Sequence, residues 1–65
     1  MDSKLIGSRL KELRENKTQN EVAEAIGVSF SAYSKYEMGI RVPRDEVKVR
    51  IADYYKKTVQ SIFYA

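Results

Sequence analysis

The stretch that decides the fold runs from Gln19 to Tyr36 and reads QNEVAEAIGVSFSAYSKY. Apolar residues recur at helical spacing on either side of a glycine. They are Val22, Ala23 and Ile26 before Gly27, and Tyr33 and Tyr36 after it. Glycine adopts the left-handed backbone conformation without steric cost, so Gly27 can end one helix, and Ser29 can cap the next. The stretch therefore predicts two short helices joined by a tight turn.

A first helix precedes this stretch and is predicted from Asp2 to Glu15, because its apolar residues share one face. That face consists of Ile6, Leu10 and Leu13. Thr18 and Glu21 then form a capping box, in which each side chain accepts a hydrogen bond from the backbone amide of the other. The second helix is therefore predicted to begin at Thr18. Asn16 is expected to supply the turn conformation between the two helices.

Two further helices are predicted after Gly39, which is expected to end the third helix. A fourth helix is predicted from Arg44 to Tyr55, because its first turn is acidic and the helix dipole favours carboxylates there. Thr58 can cap a short fifth helix. The residues expected to pack inward from these helices include Val47, Ile51, Val59, Ile62 and Phe63. The sequence thus predicts an all-α fold: a single domain over residues 1–65, built as a compact bundle of about five short helices.

The composition excludes several classes of function. The 65 residues are 43% hydrophobic and 32% charged, which is typical of a packed domain and not of a disordered chain. With no cysteine and no histidine, the chain has neither the usual zinc ligands nor a nucleophile paired with a base. We therefore expect no enzyme, no metal and no cofactor. The net charge of +3 favours a polyanionic partner.

Targeting signals are also absent from the sequence. The apolar runs are too short to cross a membrane, and the N-terminus lacks the apolar core of a secretory signal. We therefore expect a cytoplasmic protein with no membrane partner and no evident small-molecule ligand. A chain of this size buries a small core, which favours association into a homodimer.

The central residues closely resemble the helix-turn-helix of the phage-repressor family, which includes lambdoid Cro and the Xre-type regulators. The shared pattern is Gln19, Val22-Ala23, Ile26-Gly27-Val28, Tyr33 and Tyr36-Glu37-Met38-Gly39. By this resemblance, Ala23 is small because two helices cross closely, and Gly27 supplies the positive φ of the turn. The resemblance also implies that Arg14 pairs with Glu37 and fixes the end of the third helix.

The resemblance further implies that the third helix enters the major groove of duplex DNA. The residues expected to contact base edges are Phe30, Ser31 and Lys35. The residues expected to contact phosphates are Gln19, Ser29, Ser34, Arg41, Lys17 and Arg44. The outer face of the third helix suits this role because it carries no carboxylate before Glu37. For Phe30, packing on neighbouring side chains is an equal alternative to contact with a thymine methyl.

The expected function is a transcriptional regulator, and a repressor that binds a palindromic operator as a dimer is the leading hypothesis. The expected contact between the two copies involves Ile62, Phe63 and Tyr64. Two alternatives within DNA binding stay open, an antitoxin that represses its own operon and a restriction-modification controller. From another class, a protein-interaction module that keeps the fold without reading DNA is the alternative.

Two positions depart from the pattern of the family. The segment between Leu13 and Thr18 is shorter than in many relatives, which allows a rotation of the first helix. Lys56 stands where many relatives carry glycine, and a left-handed conformation there would cost about 1 kcal/mol. This second departure leaves the position of the fifth helix open.

Overall fold

The structure, a computed structural model, describes residues 2–65, and this part of the chain contains five helices. They are α1 (Ser3–Arg14), α2 (Gln19–Ile26), α3 (Phe30–Met38), α4 (Asp45–Tyr55) and the π-helical α5 (Gln60–Tyr64). No strand occurs in this range. The all-α prediction is therefore confirmed, and the helix ends lie within one or two residues of those expected from the sequence.

The second and third helices begin at the caps that the sequence predicts. Thr18 Oγ1 accepts from the Glu21 amide at 3.1 Å, and the Glu21 carboxylate accepts from the Thr18 amide at 3.3 Å. Ser29 Oγ accepts from the Ala32 amide at 3.0 Å. Because the first amides of a helix have no partner inside it, these bonds fix where α2 and α3 start.

The turn after α1 differs from the expectation in one respect. The residue with a positive φ is Glu15, with φ 53° and ψ −121°, and not Asn16. The reason lies in two bonds that close the turn across Arg14. Its carbonyl accepts from the Lys17 amide at 3.0 Å, and its guanidinium donates to the Lys17 carbonyl at 2.8 Å. The chain must therefore reverse immediately after Arg14, which falls on Glu15.

The core draws side chains from all five helices. Its buried members are Ile6, Leu10, Val22, Ala23, Ile26, Tyr33, Tyr36, Val47, Ile51, Ala52, Ile62 and Phe63. Tyr33 is the largest fully buried side chain, and its ring meets that of Tyr36 edge to face at 6.4 Å. Removal of this apolar surface from water is the main force that holds the helices together.

Two cations hold α5 against the rest of the bundle. Arg9 on α1 donates to the Ile62 carbonyl at 2.8 Å and to the Ala65 carbonyl at 2.6 Å. Lys48 on α4 is only 5% exposed, and its ammonium donates to the Tyr64 hydroxyl at 3.0 Å. These contacts place α5 although the preceding Lys56 has the left-handed conformation, with φ 56°.

A close approach between α1 and α3 occurs at Gly7, which is buried. A β-carbon at this position would lie 2.8 Å from the Tyr36 carbonyl oxygen and closer still to that of Glu37. The two helices therefore meet backbone against backbone, and only glycine leaves room for this contact.

We expect Gly7→Ala to destabilise the fold by more than about 1 kcal/mol, although alanine favours an isolated helix by about that amount. The cause is the clash with the last turn of α3. Urea unfolding would measure the change, with Ser8→Ala as the matched control, since Ser8 is exposed on the same helix. A Gly7→Ala variant as stable as the parent would contradict the close approach.

Candidate nucleic-acid interface

The unit formed by α2 and α3 is locked by the turn between them. Gly27 has φ 76° and ψ 34°, and its amide donates to the Glu24 carbonyl at 3.3 Å. The Val28 amide donates to the Ala23 carbonyl at 3.0 Å. Ala23 is 1% exposed, as a small residue at a helix crossing must be. The turn therefore fixes the angle at which α3 leaves α2.

The residues expected to contact bases all lie on the accessible surface of α3. Ser31 and Lys35 are one helical turn apart and exposed. Phe30 is 53% exposed, so about half of its side chain is available to a ligand. None of these three exposed side chains carries a carboxylate.

The residues expected to contact phosphates divide into two groups. The exposed ones are Lys17, Ser29, Arg41 and Arg44, and the half-buried ones are Gln19 and Ser34. The Ser29 oxygen already accepts from a backbone amide, which leaves its hydroxyl proton free to donate. The Gln19 amide nitrogen donates to Glu37 at 2.9 Å, so part of this side chain is engaged inside the protein.

The structure brings Arg14 and Glu37 together in a bidentate ion pair. Arg14 Nε lies 2.7 Å from Glu37 Oε2, and Arg14 Nη2 lies 3.0 Å from Oε1. The two side chains are 17% and 3% exposed, respectively. Because Gln19 also donates to Oε1, one carboxylate joins the end of α1, the start of α2 and the end of α3.

The hydrogen bonds to Glu37 decide its charge. Burial alone raises the pKa of this carboxyl group, but the bonds from Arg14 and Gln19 outweigh burial and bring the pKa below its ordinary value of 4.5. Glu37 is therefore ionised at neutral pH, and its charge is balanced by Arg14.

The residues expected between two copies of the chain differ in their availability. Ile62 and Phe63 are 2% and 3% exposed within their own chain, because both side chains are part of its core. This corrects the expectation for these two residues, since neither offers surface to a second copy. Tyr64 is 56% exposed and remains available.

No helix within residues 2–65 is both long and apolar enough to cross a membrane. In the same part of the chain, no three residues of the types His, Cys, Asp and Glu come together as metal ligands. The exposed polar side chains of α3 and its flanks carry hydrogen-bond donors, which suit an anionic ligand; they are Ser29, Ser31, Lys35, Arg41 and Arg44.

Comparison with known proteins identifies the family. A family model described as Helix-turn-helix matches residues 10–62, and the chain belongs to this family. The cryptic phage CTXphi transcriptional repressor RstR of Vibrio cholerae is 40% identical over 47 residues. The matched segment is 72% of this chain and 42% of RstR, so the chain spans less than half the length of that relative.

Two solved structures have the same fold. The SOS-response transcriptional repressor LexA from Eubacterium rectale matches with a TM-score of 0.88 at 27% identity, covering 94% of this chain and 67% of that chain. The clp gene regulator ClgR from Corynebacterium glutamicum matches with a TM-score of 0.83 at 25% identity, covering 95% and 68% of the respective chains. These matches confirm the phage-repressor-like family expected from the sequence, and their names describe regulators and not enzymes.

Acid should weaken the fold through Glu37. Its pKa is lower in the folded chain than in the unfolded chain, so the ion pair contributes stability above the unfolded pKa and loses it as pH falls through the folded pKa. We expect Glu37→Gln to be less stable than the parent at neutral pH, and the difference to shrink below about pH 4.

Urea midpoints of parent and Glu37→Gln across this pH range would measure the effect. The matched control is Glu24→Gln, because Glu24 is exposed on α2 and should show little difference at any pH. A gap between parent and Glu37→Gln that stays constant with pH would show that the carboxylate charge is not what stabilises the fold.

Proposed function

We propose that this protein is a cytoplasmic, sequence-specific DNA-binding repressor of transcription that acts as a homodimer on a palindromic operator. The observation that carries the proposal is the state of α3. Both of its ends are fixed, by the turn at Gly27 and by the ion pair of Glu37, while its outer face stays exposed and free of ionised side chains other than Lys35. A rigid helix with such a face is suited to the major groove of DNA.

Base reading is assigned to three side chains of α3. The Lys35 ammonium can donate to O6 and N7 of guanine, and the Ser31 hydroxyl can donate or accept at more than one base. Phe30 offers apolar contact, which suits the methyl group of thymine. Its half-exposed ring is consistent with this role.

Phosphate contacts are assigned to groups that flank α3. Arg41 and Arg44 follow the helix and are exposed, and Ser29 caps its start. Sequestration of Glu37 against Arg14 supports this assignment, because a free carboxylate at the end of α3 would repel the DNA backbone.

Dimer formation is assigned to the surface beside α5. Leu5 and Tyr64 line a common groove and are 46% and 56% exposed, respectively. Apolar groups of this kind gain stability when a second copy covers them. The two-fold symmetry of such a dimer would match that of a palindromic operator.

We expect a dimer whose two α3 helices lie about 34 Å apart, one turn of DNA. Sedimentation of the protein on a duplex selected from a random library should give two chains for each duplex, and the selected sequence should be an inverted repeat. Tyr64→Ser should weaken the dimer, and Gln60→Ser is the matched control, since Gln60 is exposed at the start of α5. A monomer that binds one half-site with full affinity would exclude the dimer.

Lys35→Ala and Arg41→Ala should weaken DNA binding in different ways. Loss of Lys35 should cost about 1 to 3 kcal/mol on the selected operator, mostly at one base position, with less effect on random DNA. Loss of Arg41 should weaken binding to both and reduce the magnitude of the salt slope by about one, as for one lost phosphate contact.

Binding of both variants to a set of operator mutants at several salt concentrations tests the two assignments together. If Lys35→Ala lowers affinity equally for every sequence, Lys35 contacts phosphate and the base readout falls to Phe30, Ser31 or DNA shape. If the parent itself shows no salt-dependent affinity for duplex DNA, the proposed function is wrong.

A further inference from the structure

A groove of about 450 Å³ lies between the C-terminal ends of α1 and α4. Its rim carries more positive than negative charge. The residues that matter for its chemistry are Lys17, Lys56, Lys57, Tyr54, Glu12 and Glu15. No residue of α3 lines this groove, so it is separate from the surface assigned to base reading.

The three ammonium groups at the rim have no carboxylate partner. Within residues 2–65, no ion pair joins Glu12 or Glu15 to any of the three lysines at an N to O distance of 4.0 Å or less. Lys56 and Lys57 are exposed, as is Lys17. The lysine charges are therefore available to a ligand although carboxylates line the same groove.

Lys17 is held at this rim by contacts on both its backbone and its side chain. The Arg14 carbonyl accepts from the Lys17 amide at 3.0 Å, and the Arg14 guanidinium donates to the Lys17 carbonyl at 2.8 Å. The ammonium lies 5.9 Å from the centre of the Tyr54 ring, within the range of a cation–π contact. The Tyr54 ring in turn packs on Tyr55 at 4.9 Å. The charge is thus partly placed before a ligand arrives.

Lys56 has a backbone conformation that its side chain does not favour. Its φ of 56° and ψ of 44° lie in the left-handed region, which glycine adopts without strain. The bonds that close the end of α4 here come from backbone amides, including that of Lys57 to the Ala52 carbonyl at 2.9 Å. Glycine at residue 56 would make the same bonds, so the closure of this turn does not need the lysine side chain. An outlier of this kind is a reason to seek a functional role.

We propose that Lys17, Lys56 and Lys57 form a binding site for a phosphate group. Ammonium groups bind phosphate as compact positive charges, and three lysines line one open groove here. The phosphate belongs either to the DNA backbone beyond the segment that α3 reads or to a free phosphorylated metabolite. The DNA source rests on the proposed function, whereas the free source does not.

The decisive variant is Lys56→Gly, because it removes the charge and relieves the strain together. We expect it to unfold at a higher urea concentration than the parent and yet to bind phosphate at least tenfold more weakly. Higher stability with weaker binding separates a functional lysine from a structural one. Lys56→Arg keeps the charge and should keep the binding, and Lys11→Ala, which removes an exposed lysine of α1 outside the groove, should leave it unchanged.

Two arms of the experiment distinguish the sources of phosphate. In the first, the salt slope of binding to a long duplex should fall in magnitude by about one in Lys56→Gly if the site contacts the DNA backbone. In the second, inorganic phosphate and pyrophosphate are titrated at constant ionic strength while the amide NMR signals of residues 17, 56 and 57 are followed. A saturable shift in the parent that Lys56→Gly loses supports a free phosphorylated ligand.

A reduced salt slope in the first arm supports contact with the DNA backbone, and a saturable shift in the second arm supports a free phosphorylated ligand. An unchanged duplex slope together with no saturable phosphate response overturns the proposal. Failure of the proposed function is a different result, because it removes duplex affinity from the parent and makes Arg41→Ala silent as well. The phosphate titration still tests the site in that case.

Discussion

The bidentate ion pair between Arg14 and Glu37 is the interaction on which the placement of α3 depends. It is almost withdrawn from water, since the Glu37 side chain is 3% exposed, and a third bond from Gln19 completes it. Breaking such a pair by removing one partner leaves a buried charge without compensation, which costs more than loss of a surface pair. The pair fixes one end of α3 relative to both α1 and α2, while the turn at Gly27 fixes the other end. A helix restrained in this way has little conformational freedom left to lose when a ligand binds its outer side chains.

The same pair also sets the electrostatic character of the surface. Glu37 is the one acidic residue of α3, and it lies between Lys35 and Arg41 in the sequence. Its carboxylate points into the network with Arg14, so the charge is neutralised at the place where it would oppose an anion. The net charge of the chain is only +3. For the attraction of an anion to this surface, the placement of the charges contributes more than their sum.

The parts of the fold that the sequence predicts are those with local causes. The cap at Thr18 and the left-handed turn at Gly27 each depend on residues within a few positions, and both are confirmed. The turn after α1 shows the limit of residue propensity, because the two bonds between Arg14 and Lys17 place the positive φ at Glu15 and not at Asn16. The contacts of Arg9 with the end of α5 join residues 53 and 56 positions apart, which no local pattern reveals. For the candidate site, the sequence predicts which residues of α3 are exposed, but it gives no sign that Gln19 is bonded to Glu37.

Helix α1 carries no residue assigned to base reading, yet it contacts both α5 and the end of α3. Arg9 donates hydrogen bonds to carbonyl groups at the end of α5. Arg14 lies little more than one turn further along the same helix and binds Glu37 at the end of α3. In the dimer proposed above, α1 therefore connects the contact between copies to α3, the helix assigned to base reading. This connection restricts the distance between the two α3 helices of the proposed dimer, and with it the spacing of the half-sites that the dimer can bind. Substitution of Arg14 would then alter which operator spacing the proposed dimer accepts, although Arg14 is assigned neither to the DNA contact nor to the contact between copies.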